Sequence, residues 1–343
     1  MKGRTLAIAG IILMGVLLAL ASPRHRPPEQ PGEVTDLKVM IREWAVPTKG
    51  AHPHDPAVGP DGSLWFTEQM ANKLGRLNPT TGEFREYPLA EGKNPGPHGL
   101  VADSEGDIWF TANLGGYIGK LNPQTGKITE YKMPIEKADD PHTAVFDRNG
   151  ILWFTVQGGN MVGRLNPKTG KIELKEVPTE SALPYGIQIN SKGVPIFCEL
   201  GTNKMGSIDP RTLAITEYTL PASARPRRLA IAADDTVYFT DFRSGYLGVL
   251  NTTTGAVQMY GSPGGAESNP YGITITPDGM VWYSESGVKP NTIVRFDPKT
   301  ETFARANIPS GGGVVPNMAA TRDGRVYIAC SGVDKVGAVE TVK

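Results

Sequence analysis

The chain has 343 residues, carries 35 basic and 35 acidic side chains, and is 39% hydrophobic. Zero net charge leaves no electrostatic footprint for nucleic acid or for an anionic membrane surface, and excludes both as partners on charge grounds. Its 41 glycines and 29 prolines recur as turn residues at fixed intervals, which argues for a repeat protein rather than disorder.

Residues 1–21 read as a signal peptide: Lys2 and Arg4 precede an apolar run from Leu6 to Leu20, and Ala19-Leu20-Ala21 offers a small-x-small cleavage site before Ser22. If the segment is retained it anchors the protein to the membrane instead. Residues 22–38, rich in proline and charge at their start, read as a flexible tether. Either outcome exports the protein to the periplasm or the extracellular space. Residues 39–343 form a single domain.

That domain repeats one pattern seven times. A proline leads each copy at Pro53, Pro97, Pro141, Pro184, Pro226, Pro270 and Pro316, at intervals of 42 to 46 residues. A first strand follows, then a turn such as Asp61-Gly62. The second strand is aromatic, as in Trp65-Phe66-Thr67, Trp109-Phe110-Thr111 and Trp153-Phe154-Thr155. A third strand of the type Ile118-Gly119-Lys120-Leu121 leads through Asn-Pro-x-Thr-Gly into a fourth. Four short strands per period of this length predict an all-β, seven-bladed β-propeller. The last copy stops after its third strand at Lys335 to Val339, while Met40 to Pro47 carries the fourth-strand pattern of Phe84-Arg85-Glu86-Tyr87-Pro88. The N-terminal strand is therefore predicted to complete the last blade and close the ring, which removes two exposed sheet edges. Cys198 and Cys330 fall in the second strands of the fourth and seventh blades, which are not neighbours, so both are expected as buried free thiols.

Departures from the repeat point to function. The residue after each leading proline is His54, His98, His142, Tyr185, Arg227, Tyr271 and Asn317. These seven side chains are expected around one mouth of the central channel, a usual place for a small-molecule ligand. Of the five histidines, His25 lies in the tether and His52, His54, His98 and His142 lie on this rim. Three imidazoles from adjacent blades suit acid–base chemistry or a metal. Asp140 precedes Pro141-His142, Arg228 adds to a cationic fifth blade, and Glu68, Glu199, Asp241 and Glu285 end second strands, with Gln157 near that position in the third blade. An imidazole-rich set suits a transition metal, a carboxylate completed by waters suits Mg, and carboxylates lining the channel suit Ca.

The repeat Pro-His-Gly, Trp-Phe-Thr, Ile-Gly-Lys-Leu resembles that of the virginiamycin B lyase, or streptogramin lyase, family, over about residues 40–343. The resemblance implies a propeller that opens a cyclic ester by elimination, using Mg and histidines at the channel mouth; the protein is expected to be a monomer. The family's pattern is Pro-His in one blade, acid-Pro-His in the next and Pro-Tyr-Gly in the third, with a second acid after the middle Trp-Phe. Here that order stands as Pro97-His98-Gly99, Asp140-Pro141-His142 and Pro184-Tyr185-Gly186, with Gln157 in the last role. It is displaced around the ring, since the family carries it across its last two blades and its first. The resemblance then implies His142 as general base, His98 as general acid, and Asp140 with Gln157 as the Mg ligands. His54, Tyr185, Arg227 and Tyr271 would bind substrate. Two alternatives stand beside this reading: a lactone hydrolase of the gluconolactonase type, with Glu68, Glu199 and Glu285 around Ca, and a non-catalytic binding platform.

Overall fold

A computed structural model describes residues 33–89 and 94–342. Residues 1–21 and most of the tether assigned to 22–38 lie outside the described residues. Seven antiparallel sheets follow one another around a ring, and their innermost strands begin at Pro53, Pro97, Pro141, Pro184, Pro226, Pro270 and Met318. The seventh sheet is made of Met318–Ala320, Val326–Cys330 and Lys335–Thr341, with Val39–Ala45 as its outer strand. That last pairing runs unbroken from Val39 opposite Thr341 to Ala45 opposite Lys335, so the N-terminal strand closes the ring as the repeat count requires.

The tether ends earlier than residue 38. Val34–Asp36 forms a short strand parallel to Thr302–Asn307, and makes the sixth blade five-stranded. Its sequence carries no alternation because all three of its residues are exposed, so only the backbone pairing defines it.

The repeated residues explain the blades. In the first five blades the phenylalanine of the second strand lies over the glycine opposite it on the third. The pairs are Phe66 with Gly75, Phe110 with Gly119, Phe154 with Gly163, Phe197 with Gly206 and Phe239 with Gly248. A Cβ at Gly75 would stand 2.1 Å from the Phe66 ring, so the Gly of Ile-Gly-Lys is the space the aromatic needs. The buried apolar side chains fall into seven clusters, one at each interface between neighbouring blades. The hydrophobic core is thus distributed around the ring. Cys198 and Cys330 are free and buried.

Candidate active site at one end of the channel

Two local features aim the functional side chains. Each innermost strand of the first six blades has a β-bulge directly after its leading proline: Pro53 pairs with Glu68 but Pro56 with Phe66, one residue out of register, and the other five repeat this. A bulge sets two residues against one and re-aims both. Here that pair is His54-Asp55 in the first blade and Arg227-Arg228 in the fifth. The threonine of Trp-Phe-Thr then locks the neighbouring blade. Thr67 Oγ1 accepts from the Asp55 N–H at 3.0 Å and donates to the His98 carbonyl at 3.1 Å. Thr111 joins Gly99 N–H to the His142 carbonyl, Thr155 joins Thr143 N–H to the Tyr185 carbonyl, and Thr240 joins Arg228 N–H to the Tyr271 carbonyl.

So held, six of the seven expected residues form a continuous arc. Ring centroids are 4.0 Å apart for His54 and His98, 3.8 Å for His98 and His142, and 4.0 Å for His142 and Tyr185. The Arg227 guanidinium carbon then lies 5.0 Å from the Tyr185 ring and 3.6 Å from that of Tyr271. The two tyrosine hydroxyls meet at 2.5 Å. Asn317 does not join. The seventh blade has no bulge and its first strand starts only at Met318, so Asn317 turns back on the Met318 N–H and lines the opposite part of the channel.

The arc is more enclosed than a rim. His54, His98 and His142 are 7%, 4% and 2% exposed, whereas Arg227 is half-buried. Burial holds all three imidazoles below the ordinary histidine range, most strongly His98 and His142, which also feel neighbouring imidazoles and Arg228. They are therefore neutral at pH 7, with a lone pair each.

Two residues behind the arc carry charge that the repeat conceals. Arg228 Nη2 donates to Asp55 Oδ1 at 2.7 Å and Nη1 to Oδ2 at 3.2 Å, a buried fork joining the first and fifth blades across the channel. Burial opposes ionisation of Asp55, but Arg228 and His54 outweigh it and hold the carboxyl far below its usual range. Arg228, expected on a cationic rim, is thus buried and neutralised. An ionised Asp55 can only accept, so His54 Nδ1, 3.0 Å from Asp55 Oδ1, carries the proton and Nε2 keeps the lone pair. Thr143 Oγ1 accepts from Arg228 Nη1 at 3.3 Å and lies 3.0 Å from His142 Nδ1. On the far side of Asp55, Thr143 and Arg228 lies a cavity of about 360 Å³ with walls such as Val101, Ile187, Ile231 and Ile275.

The fold has known counterparts. The profile of the virginiamycin B lyase family matches residues 30–264 and 197–342. The chain belongs to the virginiamycin B lyase family. A streptogramin B lyase structure shares 26% identity over 89% of this chain and 98% of its own, with a TM-score of 0.81. Virginiamycin B lyase from Staphylococcus aureus shares 25% identity over 89% of this chain and all of its own, with a TM-score of 0.80. A catalytically inactive histidine-to-alanine variant of the Staphylococcus aureus enzyme with quinupristin superposes equally well. A search of curated proteins finds no match.

The metal expected of the family finds no fitting donors in this member. Asp140, expected to hold Mg, accepts from the Gly158 and Gly159 N–H groups and so caps the turn after the third blade's second strand. Gln157 is half-buried in that same turn. Among the described residues, one group of three possible ligands lies close together, His54, Asp55 and His98, with ligand atoms within 4.8 Å of one another. Both Asp55 oxygens are already bonded to Arg228, and two guanidinium groups stand beside the imidazoles. Mg requires several oxygen ligands and a net negative setting, and this set offers neither. The carboxylates that a Ca site would need are also apart. Glu285 is bonded within its own surroundings by Ser262, Gly264 and Thr292, Glu199 by Thr202, and Glu68 is enclosed with both oxygens unpartnered.

Reading the residues one at a time missed Asp55 and Thr143. A signal for them existed. The second residue after each leading proline runs Asp55, Gly99, Thr143, Gly186, Arg228, Gly272 and, after Asn317, Met318. One acid and one base in a column of small residues is what an ion pair across a channel looks like.

Proposed function

We propose that this family member is a carbon–oxygen lyase that opens an ester or lactone by elimination at the histidine end of the channel. The observation that carries the reading is the Asp55–His54 pair: a neutral, buried imidazole whose Nδ1–H is fixed by an ionised carboxylate, leaving the Nε2 lone pair free to accept a proton. His54 takes the proton α to a carbonyl. The C–H electron pair becomes a C=C bond, the β C–O bond breaks, and the departing oxygen keeps that bond's pair. His142 donates a hydrogen bond to that oxygen, and the proton that His54 took from carbon passes to it through His98, which lies between the two, so that each imidazole ends neutral. The hydrogen bond to Asp55 thus favours His54 over His142 as base. Tyr185 and Tyr271 position the substrate, and the low exposure of the arc excludes water, which favours elimination over hydrolysis.

The leader-like segment supports export to the periplasm or outside the cell, and the closed ring, with no unpaired blade, supports a monomer. A binding platform is the second reading, favoured by the same near-complete burial of the imidazoles. The test is incubation with quinupristin and a panel of simpler cyclic and β-substituted esters, followed by mass spectrometry. Ring opening with no change in mass, lost in His54→Ala, is expected. Addition of one water to the product points to hydrolysis, and absence of any product leaves the platform.

A further inference from the structure

The half-buried Arg227 is the only ring member on the arc that bears a fixed charge, and among the described residues no carboxylate pairs with it. Its guanidinium lies 3.6 Å from the Tyr271 ring centre, 4.2 Å from Phe242 and 5.0 Å from Tyr185, and Nη2 donates to the Tyr185 hydroxyl at 3.3 Å. Its Nε is buried and has no partner. Two arginines face one aspartate around this part of the channel, and Asp55 is consumed by Arg228, so the site keeps one uncompensated positive charge against aromatic walls. A divalent cation would enter against that charge, whereas an anion would remove it.

We propose that the histidine end of the channel is an anion site in which Arg227 supplies the positive charge that the family resemblance would assign to Mg, and that it takes a planar monoanion with an aromatic body. The carboxylate or incipient oxyanion lies on the Arg227 fork, and the aromatic body lies against Phe242, which is half-buried and meets Tyr271 edge-on at 5.6 Å. This rests on the proposed reaction site, and in that reaction Arg227 stabilises negative charge on the substrate oxygen without a metal. It is a charge that the arc already holds in place, so no reorganisation accompanies the chemistry.

The experiment is calorimetric titration of the purified, EDTA-treated full chain with benzoate, with benzamide as the isosteric neutral probe, and with MgCl₂. Benzoate is expected to bind at one site, benzamide roughly ten-fold or more weaker, and benzoate affinity to be unchanged by Mg. Arg227→Gln should lose benzoate binding by a similar factor with its melting temperature close to that of the parent, and Arg227→Lys should recover part of it. Equal binding of benzoate and benzamide, or no saturable benzoate binding, overturns the proposal. So does Mg-dependent binding that Asp140→Asn abolishes. Binding requires no turnover, so saturable benzoate binding in a protein that opens no ester would sink the lyase reading alone.

Discussion

The first three blades and the next three present the same bulge, the same leading proline and, with one exception, the same second-strand hydroxyl, yet they carry opposite chemistry. The histidine arc is neutral, with burial suppressing its protonation. The arc of Tyr185, Arg227 and Tyr271 is cationic and hydrogen-bonding. What joins them is the Asp55–Arg228 fork, which takes its acid from one arc's blades and its base from the other's. The backbone repeat therefore supplies equivalent positions, and a single ion pair across the axis decides how charge is shared among them.

Cutting that link should have the largest effect. Arg228→Met leaves Asp55 buried without its counter-ion and should destabilise the fold by roughly 3–5 kcal/mol, while Asp55→Asn in the same background should restore much of the loss. Urea denaturation of the two variants measures this. A loss in Arg228→Met of less than about 1 kcal/mol would mean that the arcs are electrostatically independent.

The second way to sharpen the comparison is pH. For the imidazoles, the native values lie below 6.5, so above that pH both states are neutral and nothing changes. As pH falls below 6.5 the unfolded chain takes up protons first, and stability declines. Glu68 works in the other direction. It is fully buried with no partner, and burial, with Glu86 nearby, pushes its carboxyl up to about 8 from 4.5. The native state then keeps a proton that the unfolded chain loses, so stability falls as pH rises from 4.5 to 8. Glu68→Gln should remove that alkaline decline, a gain on the order of a few kcal/mol at pH 8 and little at pH 4.5, while leaving the acid limb intact. Parallel melting curves from pH 4.5 to 8.5 would show whether the two limbs separate in this way. If the variant and parent curves stay parallel, Glu68 is ionised in the native state.

The smallest effect concerns the exception among the hydroxyls. Cys198 replaces the tying threonine in the fourth blade and Ala329 replaces it in the seventh, whereas Thr111 makes two hydrogen bonds that hold Gly99 and His142. Thr111→Val should cost about 1–2 kcal/mol and Thr111→Ser much less, read from chemical denaturation. A neutral Thr111→Val would show that blade packing alone sets the histidine arc.

Much of this was legible from the chain alone. The seven leading prolines, the Trp-Phe-Thr strands and the missing fourth strand of the seventh copy point to seven blades and to the closing strand at Val39–Ala45, because strand period and turn residues are local properties written along the sequence. The column holding His54, His98, His142, Tyr185, Arg227 and Tyr271 was legible for the same reason: equivalent places in a repeat map to equivalent places in a ring. The strand at Val34–Asp36 was not, since its register depends on an edge offered by residues some 270 positions away. Nor was the fate of Asp140, whose nearest donors are backbone N–H groups of a turn that the sequence names only as Gly-Gly. Least legible was the pairing of Asp55 with Arg228, 173 residues apart. Sequence spacing determines which blade each stands on and that both stand at the bulge. Whether two charges on non-adjacent blades meet depends on the diameter of the closed ring and the direction each side chain takes inside it. Those are set by packing at all seven blade interfaces together, and only the tertiary structure holds that information.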